Sequence, residues 1–211
     1  MKFPILNIDG SKSESIEISD KLVKLKVNYK LIKFVIDWQL NHAKPRTAKT
    51  KQRNQIKGST VKIVAQKGSG GARHASRKAP IFVGGGVAHG PKGKVYKIKK
   101  INKKVRKLAL AQTLSKKNHD KNLYILADVK KEIKKTKEFN KFLLKNNLAN
   151  SLIISDSDSL KNITKSARNI KNVKLIQDVG ANIYDIFKYK NLIITQTSAI
   201  KMQERILNEK N

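Results

Sequence analysis

Apolar residues along this chain repeat in two distinct ways, on either side of a stretch where no repeat survives. Leu31, Ile32, Val35, Ile36 and Leu40 recur at the spacing of one helical face, and Asn28 stands ahead of them as a cap. The spacing predicts a helix over residues 29–42, ended by Pro45. Further on, Asn102 can cap a basic amphipathic helix in which Val105, Leu108, Ala109, Ala111, Gln112 and Leu114 lie close to one face. Beyond that helix the pattern alternates. The apolar runs 123–127, 152–154, 173–176 and 192–195 read as buried strands of a parallel sheet. Helical spacing fills the gaps: 136–146 with Phe139, Phe142 and Leu143, then 159–170, 182–187, and 198–207 with Ile200, Ile206 and Leu207.

Alternating strands and helices predict an α/β fold, a mostly parallel sheet with helices on both faces in a Rossmann-like three-layer body. Residues 46–100 do not fit that pattern. Short β-branched pieces at 61–64 and 81–83 are broken by Gly58, Gly68, Gly70, Gly71, Pro80, Gly84, Gly85, Gly86, Gly90, Pro91 and Gly93. So long a stretch without regular structure is rare inside a compact domain and is usually functional or disordered. The expected organisation is therefore one α/β domain formed by residues 1–45 and 101–211, with residues 46–100 inserted as a long extended basic loop. A body of about 150 residues has a radius of gyration near ~15 Å. Two arms at up to roughly 3.3 Å per residue outreach it several times over.

Charge gives that insertion a purpose. The chain carries 47 Lys and Arg against 15 Asp and Glu, a formal net charge of +32. Between Asp37 and Asp120 there is no acidic residue, yet the stretch holds 22 Lys and Arg, all four His and nine of the 11 Gly. Charges with no carboxylate to offset them call for an external polyanion, and a phosphate backbone is the commonest one. A charge block can also be a merely solvated basic tail. This one is internal, punctuated by Gly and enclosed by patterned regions. Outside it, 25 basic side chains face 15 acidic ones, a balance with which a domain can fold. The absence of Cys excludes disulfides and thiolate metal sites. No apolar run suggests a signal peptide or a membrane span, so a soluble protein is expected, cytosolic or organellar after processing.

Candidate chemistry narrows the function further. Gly68 to Arg73 lacks the third glycine of a dinucleotide fingerprint and no helical pattern follows it; the 85–91 cluster has Pro91 where a phosphate-binding loop needs Lys. The glycines are better used to let backbone pass close to RNA or other chains. His42, His74, His89 and His119 fall in the stretch devoid of Asp and Glu between Asp37 and Asp120, so no local carboxylate is expected to orient them. Asp128, Asp156, Asp158, Asp178 and Asp185 could meet at strand ends, where α/β enzymes bind ligands, but such residues are more often caps and turn formers. Trp38, Phe82 and Tyr96 are too few for a stacking platform, so recognition through phosphates and shape is expected. No catalytic residue, cofactor or metal site is assigned.

The run Gln66, Lys67, Gly68, Ser69, Gly70, Gly71, Ala72, Arg73, followed by Arg77, Lys78, Ala79, Pro80 and Gly84, Gly85, Gly86, closely resembles the large-subunit ribosomal protein family L-four of bacterial type. Trp38 to Leu40, Lys49 to Lys51 and Lys103 to Leu110 resemble the segments flanking that family's loop. Ala167 to Ile170, Gly180 to Ile186 and Leu192 to Thr195 resemble its C-terminal half. Ile63, Val64, Gln55 and the stretch 92–101 depart from it. The resemblance implies a structural constituent of the large ribosomal subunit that binds 23S-type rRNA and aids early assembly. Its loop tip would line the nascent-peptide exit tunnel. Tunnel-lining residues would be Gln66, Lys67, Gly68, Ser69, Gly70, Gly71 and Ala72. Contacts to rRNA would come from Lys44, Arg46, Lys49, Lys51, Arg53, Lys57, Lys62, Arg73, His74, Arg77, Lys78, Lys92, Lys94, Lys103, Lys104 and Arg106. Other large-subunit proteins would be its partners, with one copy per ribosome and no membrane, in cytoplasmic or organellar ribosomes. The rival readings are a free-standing nucleoid-type binder and an α/β enzyme using the strand-end acids.

Overall fold

A mixed sheet of six strands forms the centre of the computed structural model, which describes the chain except for residues 9–11, 46, 94–99, 134 and 208–211. The chain divides into two units, one comprising Met1–Leu40 with Lys100–Asn211 and the other Asn41–Lys99. The first contains the sheet. Its strands are β1 (Lys2–Leu6), β2 (Lys12–Glu17), β3 (Leu123–Leu126), β4 (Ser151–Ser155), β5 (Val173–Gln177) and β6 (Asn191–Thr195), in the order β2-β1-β3-β6-β4-β5. Strand β2 pairs antiparallel with β1, and the other strand pairs are parallel. The helices are α1 (Asp20–Val23), α2 (Tyr29–Ala43), α3 (Lys103–His119), α4 (Thr136–Lys145), α5 (Ser157–Ala167), α6 (Ile183–Lys188) and α7 (Gln196–Leu207).

Strands β4 and β6 are buried at all five positions, which is why they read as unbroken apolar runs rather than alternating ones. Successive side chains still go to opposite faces. Leu152, Ile154, Leu192 and Ile194 join a core with Ile32 and Val35 of α2, Ala109, Ala111 and Leu114 of α3, Ile186 of α6 and Met202 of α7. Ile153 and Ile193 join another with Phe139, Phe142 and Leu143 of α4 and Ile163 of α5. Asn28 caps α2 as expected, its Oδ1 accepting from the amides of Lys30 (3.1 Å) and Leu31 (3.3 Å).

Several sequence expectations need correction. The first two strands were not foreseen, because Pro4 interrupts β1 and the edge strand β2 reads Lys-Ser-Glu-Ser-Ile-Glu, with almost no apolar signal. Pro4 is tolerated because the ladder from β1 to β3 begins only at Ile5. Asn102 stands at the start of α3, but its side chain makes no capping bond. Nor is Leu108 on the buried face: it is 45% exposed, while Ala109 through Ser115 are buried all round the helix. In α7 Ile206 and Leu207 pack against the core as expected, joined by buried Ser198, Ala199 and Met202, whereas Ile200 is exposed.

The buried half of α3 also holds Lys117, whose Nζ donates to the carbonyls of Tyr189 (2.5 Å) and Lys190 (3.0 Å) and ties the helix to the turn before β6. Burial pushes its amine below the usual lysine range, with nearby Asp120 pulling the other way.

Ile154 is 0% exposed, so a carboxylate there has neither water nor a partner. Ile154→Asp is expected to abolish the cooperative unfolding transition, whereas Ile154→Val should cost about 1 kcal/mol, the price of one buried methyl. Urea melts followed by circular dichroism measure both.

Candidate nucleic-acid interface

Within the unit Asn41–Lys99, irregular backbone is held by a sparse set of cross-connections. Lys49 and Lys92 form an isolated antiparallel bridge, and the Thr50 amide donates to the Pro91 carbonyl at 2.9 Å. Val87 N donates to Lys51 O (2.9 Å), Gly86 N to Lys78 O (3.0 Å) and Ile63 N to Ala75 O (2.8 Å). Three consecutive turns follow one another from Ser76 to Gly85, each closed by an amide bonding the carbonyl three residues back. One turn of 3-10 helix covers Arg53–Gln55.

Glycine is required where these segments meet. A Cβ on Gly85 would lie 2.0 Å from the Ala79 carbonyl oxygen, and one on Gly86 would lie 2.3 Å from the Arg53 nitrogen. The close approach expected of these glycines is therefore to the unit's own backbone. At Gly68 and Gly70 the space around a Cβ is open.

With the backbone joined this way, the cations face outward. Lys44, Lys49, Lys51, Arg53, Lys57, Lys62, Arg73, Arg77 and Lys92 are exposed. Arg46 and Lys94 lie outside the described residues. Lys57, Lys62, Arg77 and Lys78 line one recess of about 440 Å³ together with Ile56, Val61, Ile63 and Val83. No carboxylate exists in the whole unit, so an anion entering the recess would meet four cations and no competitor. His74 is placed differently from a surface contact. It is half-buried, packs edge-on against Phe82 with ring centroids 5.0 Å apart, and its Nδ1 has no hydrogen-bond partner. Gln66 through Ala72 are all exposed, with Lys62 hydrogen-bonded to Gln66. Val61, Ile81, Val83 and Val87 are also exposed, an unusual amount of apolar surface for so charged a segment.

A second cationic surface belongs to the α/β unit. The first turns of α3 present exposed Lys103, Lys104 and Arg106 with no acidic residue and no side-chain cap. Positive charge at that end of a helix opposes the backbone dipole, a penalty that a bound anion would remove. Beside it, Trp38, Gln39, Lys103, Arg106, Lys107 and Arg205 line a cleft of about 280 Å³. The Arg106 guanidinium stands 5.4 Å from the Trp38 ring centroid, which fixes a charge at the cleft wall. Gln39 accepts from the Tyr184 amide (3.0 Å), and Arg205 donates to the carbonyls of Asp178 and Val179 (2.9 Å each). Sequence reasoning missed Lys107 and Arg205. The Lys-Lys-Val-Arg-Lys run could have revealed the first; only folding brings the second there.

The five candidate catalytic acids do not assemble. Asp128 accepts from the Thr197 amide at 3.1 Å, capping α7. Asp156 stands at the N-terminus of α5, and Asp178 accepts from the Val179 amide (2.7 Å). Asp185 binds Lys174 Nζ at 2.7 Å and Asn182 at 2.8 Å. Asp158 is exposed. Among the described residues no group of His, Asp and Glu is arranged to hold a metal ion, and no helix is long and apolar enough to cross a membrane.

Comparison with known proteins gives one consistent result. The model of the ribosomal protein L4/L1 family matches residues 16–205. The large ribosomal subunit protein uL4 of Pelagibacter ubique is 50% identical over 206 residues, covering 97% of this chain and 99% of that protein. The uL4 proteins of Desulforapulum autotrophicum (40% identical; 93% and 94% covered) and Thermotoga petrophila (36%; 97% and 95%) are similar along nearly their whole length.

Gly86→Ala is expected to break the Lys51–Val87 and Lys78–Gly86 connections, because neither backbone can give way cheaply. Hydrogen exchange at the Val87 amide should accelerate by about tenfold or more, while the β4 amides keep their protection. Gly71→Ala, whose Cβ would meet only the Ser69 carbonyl at 3.9 Å, should leave Val87 unchanged.

Proposed function

The chain belongs to the ribosomal protein L4/L1 family, and on that premise we propose that it is a structural constituent of the large ribosomal subunit, held there by 23S-type rRNA. Its role is structural and not enzymatic. The observation that carries the rRNA reading is a pair of cation-rich surfaces without a single lining carboxylate, one in each unit. Phosphates supply the missing negative charge, and released counterions supply the driving force.

In this reading the body is a Rossmann-like three-layer domain that touches the subunit from its outer side. Residues 46–100 extend from it as an insertion into the rRNA. The tip, Gln66 to Ala72, lines the peptide exit tunnel. The exposed Val61, Ile81 and Val83 support an insertion covered by its surroundings, since such side chains are otherwise left in water. An extended segment that follows rRNA inward is best placed while the RNA is still open, so the protein joins early in assembly. Other large-subunit proteins are its neighbours, with one copy in each cytoplasmic or organellar ribosome. Sedimentation of cell extract is the primary test: the protein should travel with the large subunit in stoichiometric amount, and travel with DNA would favour a nucleoid binder instead.

Binding to an rRNA fragment should weaken steeply with salt. Replacing Lys103, Lys104 and Arg106 together by Ala should make the slope of log K against log salt shallower by about two to three, at roughly 0.7 to 0.9 for each lost phosphate contact. An unchanged slope would place the start of α3 away from RNA.

Lys67→Glu reverses a charge at an exposed position outside the α/β core. Incorporation into the subunit should remain near normal, while nascent-chain transit and sensitivity to tunnel-binding macrolides change. Normal transit and normal antibiotic response at full stoichiometry would remove the tunnel assignment and leave rRNA binding standing.

A further inference from the structure

Trp38 is the single tryptophan of the chain and stands half-buried in the cleft walled by the end of α2, the start of α3, the residues leading into α6 and the end of α7. Arg106 lies over its ring, so a planar cation and a planar aromatic share one wall. The polar lining is one-sided. Gln39 Oε1 already accepts from the Tyr184 amide at 3.0 Å, and Asn182 Oδ1 accepts from the Asp185 amide at 2.9 Å. The Ala181 carbonyl accepts from Arg205 at 3.4 Å, and the carbonyls of Asp178 and Val179 anchor the same guanidinium. These oxygens are engaged within the fold. The charged side chains of the lining, Lys103, Arg106, Lys107 and Arg205, are all donors, and among the described residues no carboxylate lines the cleft.

We propose that this cleft takes a single unstacked guanine of the rRNA, its ring laid on the Trp38 indole and its O6 and N7 edge turned to Arg106, with the adjoining phosphate at Lys103 and Lys107. The inference rests on the reading of the chain as an rRNA binder and adds one base-level contact to a surface that otherwise meets phosphates. An indole beside a guanidinium is the pair of planes on which an extruded base stacks. Donors without acceptors then choose the base. Adenine and cytosine carry exocyclic amines that need acceptors, and the oxygens of this wall are engaged. Uracil has keto oxygens, but only guanine sets O6 beside N7, the pair that a guanidinium grips with two bonds. An Asp or Glu side chain would satisfy the cations, but a carboxylate has no ring face to lay on Trp38.

Because Trp38 is the only tryptophan, its emission reports the cleft directly, and a base stacked on the indole quenches it. The test titrates the full chain with RNA pentamers of cytidine that carry one central guanosine, adenosine, inosine or 7-deazaguanosine. The guanosine pentamer should quench Trp38 and bind about tenfold or more tighter than the adenosine pentamer, the discrimination of one two-bond contact. Inosine keeps O6 and N7 and should match guanosine, whereas 7-deazaguanosine, which lacks N7, should fall toward adenosine. Arg106→Ala should remove the preference and leave the weaker binding through lysines; Arg106 is exposed, and circular dichroism checks that the variant keeps its fold. In purified large subunits, one unpaired guanine protected from dimethyl sulfate at N7 should become reactive in the same variant. Equal quenching by all four pentamers, RNA binding without quenching, displacement of the guanosine pentamer by oligoglutamate as readily as by RNA, or no guanine of altered reactivity overturns the proposal. Each of those outcomes leaves the rRNA reading standing, whereas a full chain that binds neither the pentamers nor an rRNA fragment at low salt overturns that reading itself.

Discussion

The carboxylates of the α/β unit are mostly committed to local positions. Asp20 holds Lys24 at 2.7 Å, Glu132 holds Lys165 at 2.7 Å, Asp185 holds Lys174, and Asp128 caps α7. With 47 cations in the chain, they cannot neutralise the remainder. This shortage of negative charge governs where every charged side chain of the protein can go. It forces the unpaired lysines and arginines outward, and it separates a region that can fold around a sheet from one that cannot form an internal charge balance at all. Close like charges repel even near a hydrated surface, and salt weakens that repulsion without removing it. An external polyanion removes it.

The α/β unit answers the constraint by keeping cations away from its core. Its two hydrophobic clusters take nearly all their members from strand interiors and inward helical faces, and Lys117, the one buried lysine among the described residues, is satisfied by two carbonyls. Helix α3 shows the division within a single element. Its middle, Ala109 through Ser115, is buried all round, and its first turns carry Lys103 and Lys104 where the helix dipole disfavours them. A helix anchored firmly at one end can tolerate that cost at the other, which leaves an anion-seeking terminus beside the Trp38 and Arg106 cleft.

The unit Asn41–Lys99 answers it differently. With few apolar side chains to bury, it uses backbone hydrogen bonds and glycine contacts, as at Gly85 and Gly86, to hold its segments together while the cations point away. A Cβ at either glycine would push apart segments that nothing else pulls together strongly. Exposed valines and isoleucines in the same unit have no core to enter. They are consistent with a surface that is completed by its surroundings rather than by the chain itself.

The four parallel strands after residue 100, the helices between them and the irregular basic stretch with its charge are legible in the amino-acid order, because each rests on short-range periodicity or on composition. Continuous apolar runs such as 152–154 and 192–195 can only be central strands in an alternating pattern, and an acid-free block is visible without coordinates. The rest depends on contacts between distant segments. The β1 and β2 strands carry weak signals, since Pro4 breaks one and the other is a polar edge, and they are strands because β3 offers a ladder for β1 to join. Leu108 is exposed and Ala109 buried because the packing around α3, and not its amphipathic period, sets the inward face. Arg205 reaches the cleft beside Trp38, and Tyr29 meets Phe187 across a groove, through contacts between residues more than a hundred positions apart. Local patterns encode which segments are helices, strands or basic loop; they do not encode which distant side chains will share a surface, because that is fixed by how the elements stack around the sheet.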